Sequence, residues 1–143
     1  MKIHIVTVGQ PKLAYAKAGW EEYIQRLKRY HTVRITHVAD KWAYDAAHFQ
    51  QTIGSSYKVV LDIPGTPYTS SQLATFLERR ALEAREVSFI IGGPEGLPAE
   101  IIAAADITWS LSKLTFPHDL AMVVLAEALY RASTITAGLP YHK

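Results

Sequence analysis

The stretch Val87–Leu97, VSFIIGGPEGL, constrains this chain more than any other. A short run of Val, Phe and Ile ended by glycine reads as a buried strand. Gly92, Gly93 and Gly96 supply positions where the backbone can take positive φ or lie directly against a ligand. Pro94 fixes one φ and removes one donor, so the turn is shaped. Open α/β sheets place their ligands where a strand opens at its carboxyl end into such a turn.

The rest of the chain alternates strands with helices. Lys2–Val8 predicts a strand, broken by Gly9, Gln10 and Pro11. From Ala14 to Tyr30 a helical stripe runs through Trp20, Tyr23, Ile24, Leu27 and on to His31, with Arg26, Lys28 and Arg29 on its polar face. Val33–Val38 reads as a second strand by its β-branched content. Residues 42–53 predict a short helix stopped by Gly54. Lys58–Ile63 predicts a third strand closed by Pro64 and Gly65, then a helix capped by Ser70 or Ser71 with the stripe Leu73, Phe76, Leu77, Ala81 and Ala84. After the glycine turn come a helix over Pro98–Ala105, a strand over Ile107–Leu111, and a last helix from Pro117 to about Ala137. That alternation predicts one α/β domain over residues 1–143, with a mostly parallel sheet and helices on both faces.

The last helix is apolar nearly all round. Leu120, Val123, Val124 and Ala128 line one face; Met122, Leu125, Ala126 and Leu129 line another. One face can meet the sheet, but no later element exists to cover the other. A second protomer is the economical cover.

Bulk properties exclude several classes. The chain has no cysteine, hence no thiolate nucleophile, disulfide framework or Cys-based zinc site. His4, His31, His37 and His48 show no metal-ligand spacing, and no metal is assigned. No apolar run reaches transmembrane length and the N-terminus lacks signal-peptide architecture, so no membrane is expected and the cytoplasm is the default. The net charge is only +2, but residues 1–41 hold eight Lys/Arg against three acids, and a basic end suits a surface that meets phosphate as well as it suits a solvated helix.

Four segments stand in one order: Leu61–Gly65 (LDIPG), Ile91–Leu97 (IGGPEGL), Leu111–His118 (LSKLTFPH) and Pro140–Lys143 (PYHK). Together they resemble the bacterial large-subunit ribosomal RNA methyltransferase H family, within the SPOUT superfamily. The resemblance implies a SPOUT-type fold with a C-terminal trefoil knot, which periodicity alone never suggests. It implies S-adenosyl-L-methionine as methyl donor and an obligate homodimer with its active site at the interface. It further implies methylation at N3 of pseudouridine 1915 in 23S ribosomal RNA within the 70S ribosome.

By the same resemblance the donor site maps to Leu61, Gly92, Leu111, Ser112, Lys113, Leu114, Thr115 and Phe116. Loss of the N3 proton calls for a base, for which His118 and His142 are candidates, with Tyr141 beside the latter. The terminal Tyr141, His142 and Lys143 suit a splayed base, its proton and a phosphate. Relatives carry a basic residue where this chain has Met122, so RNA contacts fall instead to Lys113, Arg131 and Lys143. Arg131 and Glu127, at i and i+4, also read as a structural ion pair. Two other readings stand beside the methyltransferase. A nucleotide-binding α/β enzyme is disfavoured by the absence of a dinucleotide fingerprint or Walker loop. A non-catalytic RNA- or ribosome-binding module would keep the fold without the chemistry.

Overall fold

The computed structural model describes all residues, Met1–Lys143. Five strands, β1 (Lys2–Val8), β2 (Thr32–Val38), β3 (Tyr57–Pro67), β4 (Val87–Ile91) and β5 (Ile107–Ser110), form one sheet in the order β2-β1-β4-β3-β5. Every pairing is parallel, so all five carboxyl ends share one edge. The central strands are buried on both faces: β4 throughout, and β1 from Ile3 onward.

Helices α1 (Ala14–Leu27), α3 (Ser70–Ala81) and α5 (His118–Thr136) cover one face. Trp20, Ile24, Leu73, Leu77, Met122, Leu125 and Leu129 pack there against Ile3, Ile5, Val59, Phe89 and Trp109. Helices α2 (Ala46–Ile53) and α4 (Ala99–Ala103) cover the other, where Phe49, Ile53 and Ile101 meet Val6, Val8, Val60 and Ile90. Strand alternation deals the side chains to these two layers.

The two faces of α5 are buried to different degrees. Met122, Leu125, Ala126 and Leu129 are fully buried in the larger core. The opposite face, Leu120, Val123, Val124 and Ala128, is half-buried rather than bare. Earlier elements cover part of it: α5 packs against both α1 and α3, and Val123 and Ala128 join the larger core. Gly19 of α1 lies so close that a Cβ there would stand 3.1 Å from Val123 Cγ1. Met122 itself lies closed to solvent in the larger core.

Three local readings are corrected. The expected helix over 42–53 is a 3-10 turn at Asp40–Trp42 followed by α2, whose cap Asp45 accepts the His48 N–H at 2.9 Å. Thr69, not Ser70 or Ser71, caps α3, because it forms a reciprocal box with Gln72. Strand β3 does not stop at Pro64 and Gly65. It slips register, with Leu61 and Thr66 both opposite Trp109, so Asp62–Gly65 bulge out and the strand resumes. Gly65 is needed there: a Cβ would meet the Thr108 carbonyl carbon at 2.8 Å.

Candidate active site

The strand ends organise a cleft of about 400 Å³, within the range of small-molecule sites. Its walls come from three segments that are distant in sequence. The β3 bulge contributes Leu61, Asp62 and Ile63; the glycine turn contributes Ile91 through Leu97. The connection after β5 contributes Leu111, Ser112, Leu114, Thr115 and Phe116, and α5 closes the space with His118 and Ala121.

The glycine turn is built by its own bonds. Gly96 donates its N–H to the Gly93 carbonyl at 3.0 Å, with Pro94 second and Gly96 at φ +86°. Glu95 keeps negative φ, as a type I turn with Pro at its second position requires. A Cβ on Gly92 would lie 2.7 Å from the Gly96 carbonyl carbon and 2.8 Å from the Leu97 nitrogen. Gly92 is thus demanded by the turn itself, before any ligand is considered.

The connection 111–117 makes the longest traverse. Strand β5 is the sheet edge, beyond β3, yet His118 Nε2 donates to the Val8 carbonyl at 2.7 Å on the far side of β4. Three inter-strand spacings are about 14 Å, and seven extended residues reach about 23 Å. The chain therefore crosses the carboxyl ends of β3 and β4 to enter α5. Hydroxyls shape its start: Ser110 Oγ donates to the Ser112 carbonyl at 3.0 Å, and Ser112 Oγ accepts the Leu114 N–H at 3.0 Å. Leu114 stays 71% exposed on the open side of the cleft.

Asp119 holds the entry of α5 in place. Its Oδ2 accepts the N–H groups of Lys12 and Leu13 at 2.8 and 2.7 Å. The Leu13 bond first, with the Lys12 bond adding to it, keeps this carboxyl below its ordinary pKa. Sequence reasoning missed Asp119. Its signal was an acid in a helix's first turn, which by itself names no partner a hundred residues away. It also missed Asp62, Glu95 and Leu97, which a bulge and a turn bring to the cleft.

Of the residues mapped from the resemblance, the cleft gathers Leu61, Gly92, Leu111, Ser112, Leu114, Thr115, Phe116 and His118. Lys113 is exposed and outside its lining. The tail stands elsewhere. Pro140–His142 form a 3-10 turn against the second half of α5. Tyr141 Oη donates to Glu127 Oε1 at 3.3 Å, and its ring packs edge-on against Tyr130 at 4.6 Å. Arg131 donates through Nε to Glu127 at 2.8 Å and lies 5.0 Å from the Tyr141 ring. Glu127 is nine residues along the helix from His118, about 14 Å. His142 and Lys143 are exposed. No group of three or more His, Asp or Glu is placed to hold a metal, and no helix is long and apolar enough to cross a membrane.

A wholly parallel, five-stranded α/β sheet with a half-apolar cleft at its carboxyl edge, crossed by the chain that forms its wall, defines a ligand-binding α/β enzyme architecture. Comparison with known proteins narrows it. The family described as "Predicted SPOUT methyltransferase" matches residues 1–142, and the chain belongs to that family. The "Ribosomal RNA large subunit methyltransferase H" of Deinococcus deserti is 47% identical over 145 aligned positions that cover 100% of both chains. The protein of the same name from Deinococcus radiodurans is 46% identical, covering 100% of this chain and 99% of its own. Among solved structures, the tRNA (m1G37) methyltransferase of Aquifex aeolicus superposes with a TM-score of 0.58 at 11% identity, over 97% of this chain and 72% of that one, a likeness of fold.

Proposed function

We propose that this methyltransferase uses S-adenosyl-L-methionine to methylate N3 of pseudouridine 1915 in 23S ribosomal RNA, acting as a cytoplasmic homodimer on the 70S ribosome. The observation that carries the reading is the cleft, which draws Leu61, Gly92, Leu111, Ser112, Leu114, Thr115, Phe116 and His118 to one place in a chain 47% identical to a ribosomal RNA large subunit methyltransferase H.

The cleft fits the donor. Leu61, Leu111, Leu114 and Phe116 offer apolar walls for a purine, while Ser112, Thr115 and the backbone of the glycine turn offer polar contacts. Asp62 and Glu95 bring two carboxylates to the lining, suited to a ligand that carries positive charge. When bound, S-adenosyl-L-methionine supplies an electrophilic methyl group. The protein's tasks are then to orient the acceptor nitrogen in line and receive its proton. His118, which lines the cleft, has Nε2 committed to the Val8 carbonyl, which leaves Nδ1 as the ring's lone pair. The imide N–H gives its proton to that atom, or to His142, and the freed nitrogen pair takes the methyl.

The tail lies about 14 Å or more from its own cleft along α5, so in a homodimer Tyr141, His142 and Lys143 serve the partner's site. The half-buried face of α5 is the surface available for that pairing. The traverse of residues 111–117 across β3 and β4 supports the trefoil threading that this fold implies.

The test is transfer of tritium from labelled S-adenosyl-L-methionine to 70S particles and, in parallel, to free 23S RNA, with the methylated position read by mass spectrometry of nuclease digests. A methyl group on N3 of a single pseudouridine, formed on 70S particles, is the expected result. Transfer to another base, or none, overturns the reading.

A further inference from the structure

The loop between β2 and α2 reaches the same sheet edge as the cleft. It has an unusual exposure pattern: Ala43 is 5% exposed, whereas Trp42 is 37% and Tyr44 56% exposed. Ala43 is the anchor. Its Cβ lies 4.0 Å from where a Cβ on Gly93 would stand, and Val8 Cγ1 is 3.5 Å from that point. Val8 is the residue whose carbonyl receives the His118 bond. The loop is therefore fastened to the glycine turn and to the strand end beside His118, with its two large aromatic side chains outward.

The Trp42 ring is held in place from one face. Trp42 stacks on His48 with centroids 4.9 Å apart and planes 2° from parallel. Lys41 Nζ lies 5.4 Å from the Trp42 ring centre. Trp42 and Tyr44, two residues apart, both leave ring surface open to water on a loop fastened beside the cleft. Aromatic faces beside a lysine suit unpaired nucleotides, whose bases stack and whose phosphates take the cation. Charge does not favour a simple phosphate clamp, because Asp40 and Asp45 share the loop with Lys41. Asp45 is committed as the α2 cap, and Asp40 Oδ1 turns toward the β1–α1 connection, 3.7 Å from where a Cβ on Gly9 would lie. Stacking is the dominant chemistry that this surface offers.

We propose that Trp42 and Tyr44, with Lys41, form a stacking platform for unpaired nucleotides that flank the target base on the RNA strand entering the cleft. The proposal rests on the RNA methyltransferase reading above. It assigns substrate affinity to a loop that contributes nothing to the cleft lining.

The experiment compares wild type, the double variant Trp42→Ala/Tyr44→Ala and the double variant Trp42→Phe/Tyr44→Phe. Fluorescence anisotropy measures binding of a fluorescein-labelled uridine oligomer of about 12 nucleotides, and initial rates are measured on 70S ribosomes. The alanine pair should weaken oligomer binding about tenfold and raise KM for ribosomes comparably. It should leave kcat and the melting shift produced by S-adenosyl-L-methionine within about twofold of wild type. The phenylalanine pair should retain most of both affinities. Wild-type affinity in the alanine pair overturns the platform, as does an equal loss in the phenylalanine pair, which would mark a packing role. If wild type binds the oligomer without methylating ribosomes, the substrate reading falls, and the anisotropy series still decides the platform. Failure of wild type to bind the oligomer overturns it outright.

Discussion

His118 donates its Nε2–H to the carbonyl of Val8 at 2.7 Å, tying the first residue of α5 to the last residue of β1. A carbonyl only accepts, so Nε2 carries the proton and Nδ1 is the basic nitrogen. Replacing His118 by Ala should cost about 1 kcal/mol of stability and slow methyl transfer by about a hundredfold or more. His118→Gln supplies another N–H for Val8, so it should recover stability in urea melts without recovering the rate. Wild-type turnover in His118→Gln would remove His118 from the proton's path.

The division between what was legible and what was not follows sequence distance. The alternation of strands and helices, and the parallel sheet it predicts, rest on periodicities of a few residues, and β1, β4 and α5 stand within one or two residues of their expected bounds. The glycine turn was legible because Gly92 and Gly96 act on neighbours four residues apart. The β3 bulge was not: Pro64 and Gly65 read as a stop, and only the backbone of Thr108 pressed against Gly65 shows why the strand resumes. Asp119 was missed for the same reason, since its partners Lys12 and Leu13 belong to another end of the chain. The covering of α5 was legible on its sheet side only, because an apolar helix face does not say how much of it earlier elements meet. Composition, likewise, could not place Lys113 outside the cleft or the tail beside Glu127.

Gly65 and Gly138 separate close packing from backbone strain. A Cβ on Gly65 would stand 2.8 Å from the Thr108 carbonyl carbon and 2.9 Å from that of Trp109, both backbone atoms that cannot rotate away. Gly138 has φ +75° but nothing within 4 Å of a built Cβ. Gly65→Ala should therefore destabilise by about 3 kcal/mol or more, with loss of the bulge and of donor binding. Gly138→Ala should cost about 1 kcal/mol. Thermal melts with and without S-adenosyl-L-methionine distinguish the two. Equal costs would show that the β3–β5 approach is looser than its geometry.

Acid should weaken the fold through His31. Its Nε2 donates to Ser133 Oγ at 2.9 Å, that hydroxyl donates to the Leu129 carbonyl at 2.8 Å, and Nδ1 faces the terminal amine at 3.5 Å. Burial first, and the amine's charge second, lower its pKa from 6.5 to about 4. The unfolded chain takes up this proton before the folded one does. Stability is therefore fully present above pH 6.5 and falls as pH drops from there toward about 4. The shift would amount to about 3 kcal/mol for a fully buried group, and partial exposure reduces it to about 1–2 kcal/mol. Burial also lowers the pKa of His4 and His37, which adds slope in the same direction. His31→Gln should flatten part of the decline in urea midpoint between neutral and mildly acid pH. An unchanged slope would assign the acid sensitivity to other groups.

The tail is held by a bond that says how it can act. Tyr141 donates to Glu127, packs on Tyr130 and lies beside Arg131, while His142 and Lys143 project into solvent. Burial first, then Tyr23 and Glu127, push the phenol above its ordinary pKa, so at neutral pH it is a donor and an anchor and cannot be the base. That leaves the imidazole of His142 as the tail's only proton acceptor. Removal of Tyr141–Lys143 uncovers one face of Tyr130 and should cost no more than about 1 kcal/mol. It should leave the melting shift with S-adenosyl-L-methionine intact and abolish methylation of ribosomes. Full activity of the shortened chain would make the tail a cover for α5 and nothing more. Its reach is tested by co-expressing two individually inactive chains, one lacking the tail and one carrying His118→Ala. If a cleft is completed by the partner's tail, the mixed dimer has one site with an intact His118 and an intact tail, and activity returns. If each cleft uses its own tail, every site in that mixture lacks one or the other, and activity stays lost.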